Sequence, residues 1–150
     1  MNTKLNHRIK VILLIVLVMA ISTPWIIYAL NHMFIARQHL TFTSDISYVH
    51  SVIWEVTYNF FENEGKYPKD IDTIKNIIYQ EGYLGTANKN ISMILDEIEY
   101  SSDEKGYNIS LNINFEGSVY SLKSKGHKGE EIFYELKRDG ELLSRLDYEK

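Results

Sequence analysis

The feature that most constrains the fold of this chain is an uncharged, apolar run near its start, Val11–Leu30. Its twenty residues read VILLIVLVMAISTPWIIYAL. As an α-helix the run would be about 30 Å long, which matches the hydrocarbon thickness of a bilayer. Trp25 and Tyr28, near its far end, suit a membrane–water interface. The run therefore predicts a transmembrane helix.

The charges around this run predict its orientation. Basic residues precede it, and the first acidic residue is Asp45. Because cytoplasmic flanks are rich in Lys and Arg, we expect the N-terminus inside a bacterial cell and the rest of the chain outside the cytoplasmic membrane. The expected organisation is a basic cytoplasmic segment at 1–10, a transmembrane helix at 11–30 and an exported domain at 31–150.

A cleaved signal peptide and a buried helix of a water-soluble protein are the two alternatives to a retained anchor. A signal peptide usually has an apolar core of about 7–15 residues that ends in a small-residue cleavage site. Here the run is longer and leads into His32, Met33 and Phe34. A buried helix of a water-soluble protein would need covering on all sides, for which the remaining 120 residues are too few. A retained anchor is therefore the favoured interpretation.

The composition of the chain argues against one class of partner and rules out two kinds of covalent or metal cross-link. This segment holds 13 of the 16 Lys and Arg and all 20 Asp and Glu, so its net charge is −7. Nucleic-acid binding usually requires a basic surface, so nucleic acid is not an expected partner. The chain has no cysteine, which rules out disulfides and Cys-ligated metals. The length suits one small domain that depends on its own apolar core.

A second helical pattern follows the anchor without a break. Residues 31–63 contain neither Pro nor Gly, and apolar residues recur at spacings of three and four from Ile46 to Phe60. The simplest prediction is one helix over 11–62, bent at Pro24 and stopped by Gly65. The alternative is a break at residues 41–45, where Ser44 or Asp45 would cap a new helix.

The remainder predicts one short helix and a sheet. Asp70 can cap a helix that Gly82 closes, residues 83–90 read as a loop, and 91–100 are ambiguous between helix and strand. Strict alternation over 107–115 indicates a half-buried antiparallel strand. Turn signals then separate three more predicted strands, at 118–123, 132–136 and 142–146, with turns at Glu116-Gly117, Ser124–Gly129 and Asp139-Gly140.

These elements predict an α+β fold. A long N-terminal helix, with a transmembrane half and an amphipathic half, would pack on a small antiparallel β-meander. The helix stripe between Ile46 and Phe60 is the natural cover for the apolar face of the sheet.

This architecture resembles the type IV pilins and the type II secretion pseudopilins. Pro24 lies in the apolar run about where such proteins carry a helix-bending proline. Gly65-Lys66-Tyr67-Pro68 is similar to the G-x-Y-P that follows the long helix, and Tyr120–Gly129 to the family's strand and S-x-G-x-D-G turn. The resemblance implies a structural subunit without catalytic residues or cofactors. Its partners would be membrane lipid and other single-pass or pilin-like proteins, including itself.

Three features depart from the family pattern. No Gly precedes Gly65, so a prepilin-peptidase site is not visible. If Pro24 sets the register, the glutamate of the family falls on His7. The segment Ser124–Gly129 lacks an Asp, which removes a calcium ligand. We therefore expect an atypical member, and no metal site.

Nothing in the sequence indicates catalysis. His32, His39 and His50 would lie about 10 and 16 Å apart along a helix, too far for one ion, so we expect interfacial or solvated histidines. Acidic clusters at 62–64 and 96–99 are expected to be solvated. The chain has no nucleophile elbow and no Gly-rich phosphate loop. An enzyme is therefore not expected.

The candidate contact residues for a partner are Pro24, Trp54 and Tyr58. Trp54 and Tyr58 are one helical turn apart and form a second apolar strip beside the core stripe. This strip either widens the core contact or presents a surface to a partner helix. The alternative to an assembly subunit is a stand-alone anchored module that binds a ligand, senses it or inhibits an envelope partner.

Overall fold

The computed structural model describes residues 2–85, 89–128 and 130–147, with side chains from residue 9 onward. Three helices precede five strands: α1 (Asn2–Glu64), α2 (Ile71–Glu81), α3 (Lys89–Glu97), β1 (Glu99–Ser102), β2 (Gly106–Phe115), β3 (Ser118–His127), β4 (Glu130–Arg138) and β5 (Glu141–Asp147). The chain divides into two compact units, residues 1–40 and 41–150, which we describe in turn. This α+β arrangement, with a helix packed on an antiparallel sheet, confirms the predicted fold class.

The first unit is helical and contains a candidate membrane span. By length and composition, α1 is the one helix in the described part of the chain that could cross a membrane, and none of its most apolar window is buried. Pro24 lies inside the helix, as the sequence predicts. Pro24 has no N–H to donate, and the hydroxyl of the preceding residue, Thr23, donates to the carbonyl of Met19 at 2.6 Å.

In the second unit, the C-terminal part of α1 covers the sheet with the predicted stripe. Ile46, Val49, Ile53 and Val56 are at most 1 % exposed. The alternative of a break at 41–45 is wrong, because these residues are helical. Phe42 is fully buried, and its ring centroid lies 3.9 Å from that of Phe115 in β2. Such packing outweighs the low helix propensity of the neighbouring Thr and Ser.

Capping geometry confirms the predicted end of α1 and both predicted ends of α2, whereas α1 begins at Asn2 and not at residue 11. Gly65 has a φ of +67° and its N–H donates to the carbonyl of Phe61 at 2.8 Å, which ends α1. The carboxylate of Asp70 accepts from the N–H of Thr73 at 2.9 Å and so caps α2. Gly82 takes the left-handed conformation at the end of α2.

The sheet is an antiparallel meander in the order β1-β2-β3-β4-β5. It has five strands where the sequence predicted four. The ambiguous segment 91–100 contains both elements, since α3 ends at Glu97 and β1 begins at Glu99. In β1, Tyr100 pairs with Ile109 on the inner face of β2. The short strand is therefore held by its pairing rather than by a pattern of its own.

The predicted turn at Ser124–Gly129 is wrong in its bounds. β3 continues to His127 and β4 starts at Glu130, so most of that segment is strand. Gly129 lies outside the described residues. Gly126 pairs with Tyr107 near one end of the β2–β3 ladder. Its glycine serves a close contact with that ring and not a turn.

Candidate functional site

A buried group of polar side chains lies between α1 and the sheet in the second unit. His50 of α1 is 6 % exposed, and its Nε2 lies 3.0 Å from Oε1 of Glu131 in β4. The same carboxylate oxygen accepts a hydrogen bond of 2.7 Å from the hydroxyl of Ser124 in β3. Ser124 is itself 1 % exposed. One carboxylate thus joins α1 to two neighbouring strands.

The expectation of solvated or interfacial histidines is wrong for His39 and for His50, which are 8 % and 6 % exposed. His50 follows Val49 and stands one turn after Ile46, so it shares the buried side of the helix. The ring centroids of His50 and Tyr134 are 4.7 Å apart, which closes the site from the side of β4. His32, in the first unit, is exposed.

His50 and Glu131 are close enough for an ion pair, but their atoms are not aligned for a hydrogen bond. Nε2 of His50 makes no hydrogen bond with any described residue. The side chain of Glu131 is 20 % exposed, so water reaches this contact and screens it.

These residues do not form a catalytic triad. In a triad the histidine lies between the hydroxyl and the carboxylate, so that it can take the hydroxyl proton. Here the hydroxyl of Ser124 donates directly to Glu131, and a side chain that is 1 % exposed cannot reach a substrate. Among the described residues there is also no group of three His, Cys, Asp or Glu placed to hold a metal. The arrangement therefore suits structure rather than chemistry.

An aromatic cluster continues this polar group along the inner face of the sheet. The ring centroid of Tyr107 lies 5.6 Å from that of Tyr67 and 6.2 Å from that of Tyr100. Burial raises the pKa of Tyr100 to about 12. Burial and, secondarily, the negative charge of Glu131 hold the pKa of Tyr107 well above its usual range. Both phenols therefore remain neutral at physiological pH.

Several polar atoms here are buried without a well-aligned hydrogen bond. His50 Nε2, Trp54 Nε1, Thr57 Oγ1 and the hydroxyls of Tyr100 and Tyr107 make no hydrogen bond with any described residue. We call these five residues together with Glu131 the polar seam. A buried polar group without a partner costs about 1–3 kcal/mol.

Gly126 is fixed by the ring of Tyr107. A Cβ at this position would lie 2.0 Å from Cε1 of Tyr107 and 2.2 Å from its Cζ. The ring therefore lies across the glycine, where it covers the backbone and extends towards β4. The sequence predicted a turn at Gly126 because the segment Ser124–Gly129 is rich in Gly. A contact with a tyrosine on the neighbouring strand leaves no signal in that segment.

The raised tyrosine pKa values predict a loss of stability in alkali. In the unfolded chain Tyr100 titrates near 10, whereas in the folded protein it keeps its proton to about pH 12. Between these values the unfolded state binds fewer protons, so the free energy of unfolding falls as the pH rises. Tyr100→Phe is expected to flatten this fall relative to its own value at neutral pH.

The measurement is the denaturation midpoint as a function of pH, with tyrosinate absorbance as a second readout. Tyr79→Phe is the matched control, because Tyr79 is 60 % exposed. The control should follow the parent protein throughout. An unchanged slope between pH 10 and 12 in Tyr100→Phe would contradict the assignment.

The sequence-predicted contact residues lie in both units. Pro24 is an exposed position of α1 in the first unit. In the second unit the rings of Trp54 and Tyr58 stack at 5.8 Å. Trp54 is partly buried and packs against the core, whereas Tyr58 is 36 % exposed. Trp54 therefore contributes to the core, whereas Tyr58 leaves part of its side chain exposed.

Comparison with protein families, with curated proteins and with solved structures finds no match. The resemblance to pilins therefore remains a prediction from the sequence.

Proposed function

We propose that this protein is a single-pass membrane-anchored structural subunit that acts by helix packing and assembly in the cell envelope, in the manner of pilins and pseudopilins. The N-terminus would lie in the bacterial cytoplasm and the α+β domain outside the cytoplasmic membrane. Its partners would be lipid and other single-pass or pilin-like chains, including copies of itself.

The observation that carries this proposal is that the two parts of α1 differ in what covers their apolar residues. From Val11 to Leu30 the helix is uncharged and mostly apolar, and side chains from Ile12 to Leu17 are 52–62 % exposed. Water-soluble monomers rarely expose an apolar patch of this extent. Lipid or other helices would cover it. The C-terminal part of the same helix is the one that covers the sheet.

The second unit supports the proposal by having a core of its own. Buried residues from α1, α2, α3 and the sheet form one apolar cluster. Its polar seam offers no accessible nucleophile and no group of three metal-ligating side chains among the described residues. A domain of this kind suits a structural subunit that acts by packing against neighbouring subunits.

Trp54 and Tyr58 are the proposed contacts of the domain with a neighbouring subunit. Tyr58 is 36 % exposed, and its ring stacks on that of Trp54, which is partly buried against the core. Such a rigid, half-buried aromatic pair is typical of interface anchors. Pro24 is the proposed point at which the helix in the membrane adapts to its neighbours.

The test is disulfide crosslinking in native membranes. The chain has no cysteine, so a single Cys placed at Ile15 or Leu17 is the sole thiol. Assembly predicts oxidant-dependent dimers or adducts with pilin-like chains. Tyr79→Cys, in α2, is the control and should give far less product. A clean monomer at both positions, with a ligand bound to the domain, would contradict assembly and favour an anchored binding module.

A further inference from the structure

A cavity of about 340 Å³ in the second unit is lined by the end of α1, by α2 and by the residue that follows α2's closing glycine. Val56 and Phe60 of α1 and Ile77 of α2 supply its apolar lining. Ligand sites in proteins usually occupy about 300–1,000 Å³ and combine an apolar lining with a few polar groups. The cavity is distinct from the polar seam, because no residue of the seam lines it.

The polar lining of this cavity carries negative charge. Glu64, the last residue of α1, and Glu81, the last residue of α2, both line it. Both residues are exposed, and neither forms an ion pair within the described part of the chain. No Lys or Arg is among the described residues that line the cavity. The two carboxylates therefore have no counter-charge there.

The ends of the two helices add to this negative potential. The C-terminal end of an α-helix carries a partial charge of about −0.5, which basic side chains in the last turn can offset. The last turns of α1 and α2 contain no basic residue, and each helix ends in a glutamate instead. This arrangement is unfavourable for both helices, and a positive charge bound in the cavity would offset it.

Aromatic side chains in the lining favour an organic cation over a metal ion. Phe60 and Tyr83 line the cavity, and aromatic rings attract ammonium and guanidinium groups. A metal ion would need more carboxylate or His ligands than the described residues bring together. Glu64 and Glu81 belong to different helices, and their separate carboxylates suit the compact charge of an ammonium group better than the planar fork of a guanidinium.

We propose that this cavity binds an ammonium group carried on an aliphatic stem. The charged end binds at the carboxylates of Glu64 and Glu81, and the stem packs on the apolar lining. A lysine side chain of a neighbouring subunit and a free aliphatic amine share this chemistry. All the lining residues belong to the second unit, so binding does not require the chain to assemble through its apolar run.

Titration with n-butylammonium tests the proposal on the full chain in neutral detergent micelles. This probe reproduces the side chain of lysine. It should shift the NMR signals of the side-chain amides of Asn59 and Asn63, which line the cavity, in a saturable way. The uncharged n-butanol, of similar length, should not shift them, and added salt should weaken the binding of n-butylammonium.

Charge-removing variants locate the binding. Glu64→Gln and Glu81→Gln each remove one exposed charge pair, so each should weaken binding about threefold and the double variant about tenfold. Both variants should fold, because each removes a negative charge from a helix C-terminus. Glu55→Gln, at an exposed position of α1 outside the cavity, is the control and should bind like the parent protein. No saturable shift with n-butylammonium, or equal affinity in the double variant, would overturn the proposal.

Carbodiimide crosslinking in native membranes distinguishes the two sources of the ammonium group. The reagent activates a carboxylate, and an amine in contact with it then displaces the activating group to form an amide bond. A link from Glu64 or Glu81 to a lysine of another chain, identified by mass spectrometry and lost in the double variant, would assign the cavity to a neighbouring subunit. Binding of n-butylammonium without any such link would assign it to a free amine.

Discussion

Leu17→Arg is expected to release most of the protein from the membrane fraction. Leu17 lies in the middle of the apolar run and is 57 % exposed on α1. At the centre of a spanning helix, Leu favours insertion by about 0.3–0.6 kcal/mol, whereas Arg opposes it by about 2.5–3.5 kcal/mol. The difference of about 3–4 kcal/mol corresponds to a few hundredfold in the insertion equilibrium. The measurement is the share of protein that resists alkaline extraction of membranes.

The control for this substitution carries the same charge outside the run. Tyr79→Arg places an arginine at an exposed position of α2, where the side chain remains in water. This variant should stay with the membrane like the parent protein. If Leu17→Arg also stayed there, the run would not be the span. If the mature chain had lost its first residues, as intact mass would reveal, a signal peptide would be the better interpretation.

Gly126→Ala is expected to produce a large loss of folding stability. The new methyl group would lie 2.0 Å from Cε1 of Tyr107, a distance that real Cβ atoms do not tolerate. Tyr107 is 2 % exposed and cannot swing into solvent without losing its burial. Overpacking of this kind costs about 1–3 kcal/mol, and occasionally more. We expect a value at or above the upper end, measured from denaturation midpoints.

A double-mutant cycle separates this clash from a general intolerance of the strand. In a Tyr107→Ala background the ring is gone, so Gly126→Ala should cost far less than in the parent protein. Neighbouring residues in contact commonly show interaction energies of about 0.5–3 kcal/mol. Two costs that simply add would contradict the contact between Gly126 and Tyr107.

The local rules of the sequence predicted much of the fold. The stripe from Ile46 to Val56, the cap at Asp70 and the stops at Gly65 and Gly82 depend on neighbours a few residues away, which a sequence displays directly. The helix through 41–45 depends instead on Phe42, whose stacking partner lies in a strand far along the chain. Propensity alone cannot reveal such a partner.

The polar seam could not be predicted from neighbouring residues, because its members are far apart in the sequence. His50 and Glu131 are on different elements, and only the folded meander brings them together. The available signal was the position of His50 beside Val49, on the apolar face, which indicates a buried histidine that needs a partner. Likewise Gly126 carried a turn signal, while its true requirement is the ring of Tyr107.

The most direct test of assembly through α1 is a cysteine scan of the uncharged run in native membranes. Single cysteines from Val11 to Leu30 would be oxidised and the yield of crosslinked product measured at each position. Helix packing predicts maxima that recur every three to four residues on one face of α1. A uniformly low yield at all positions would contradict assembly through this helix and leave it as an anchor alone.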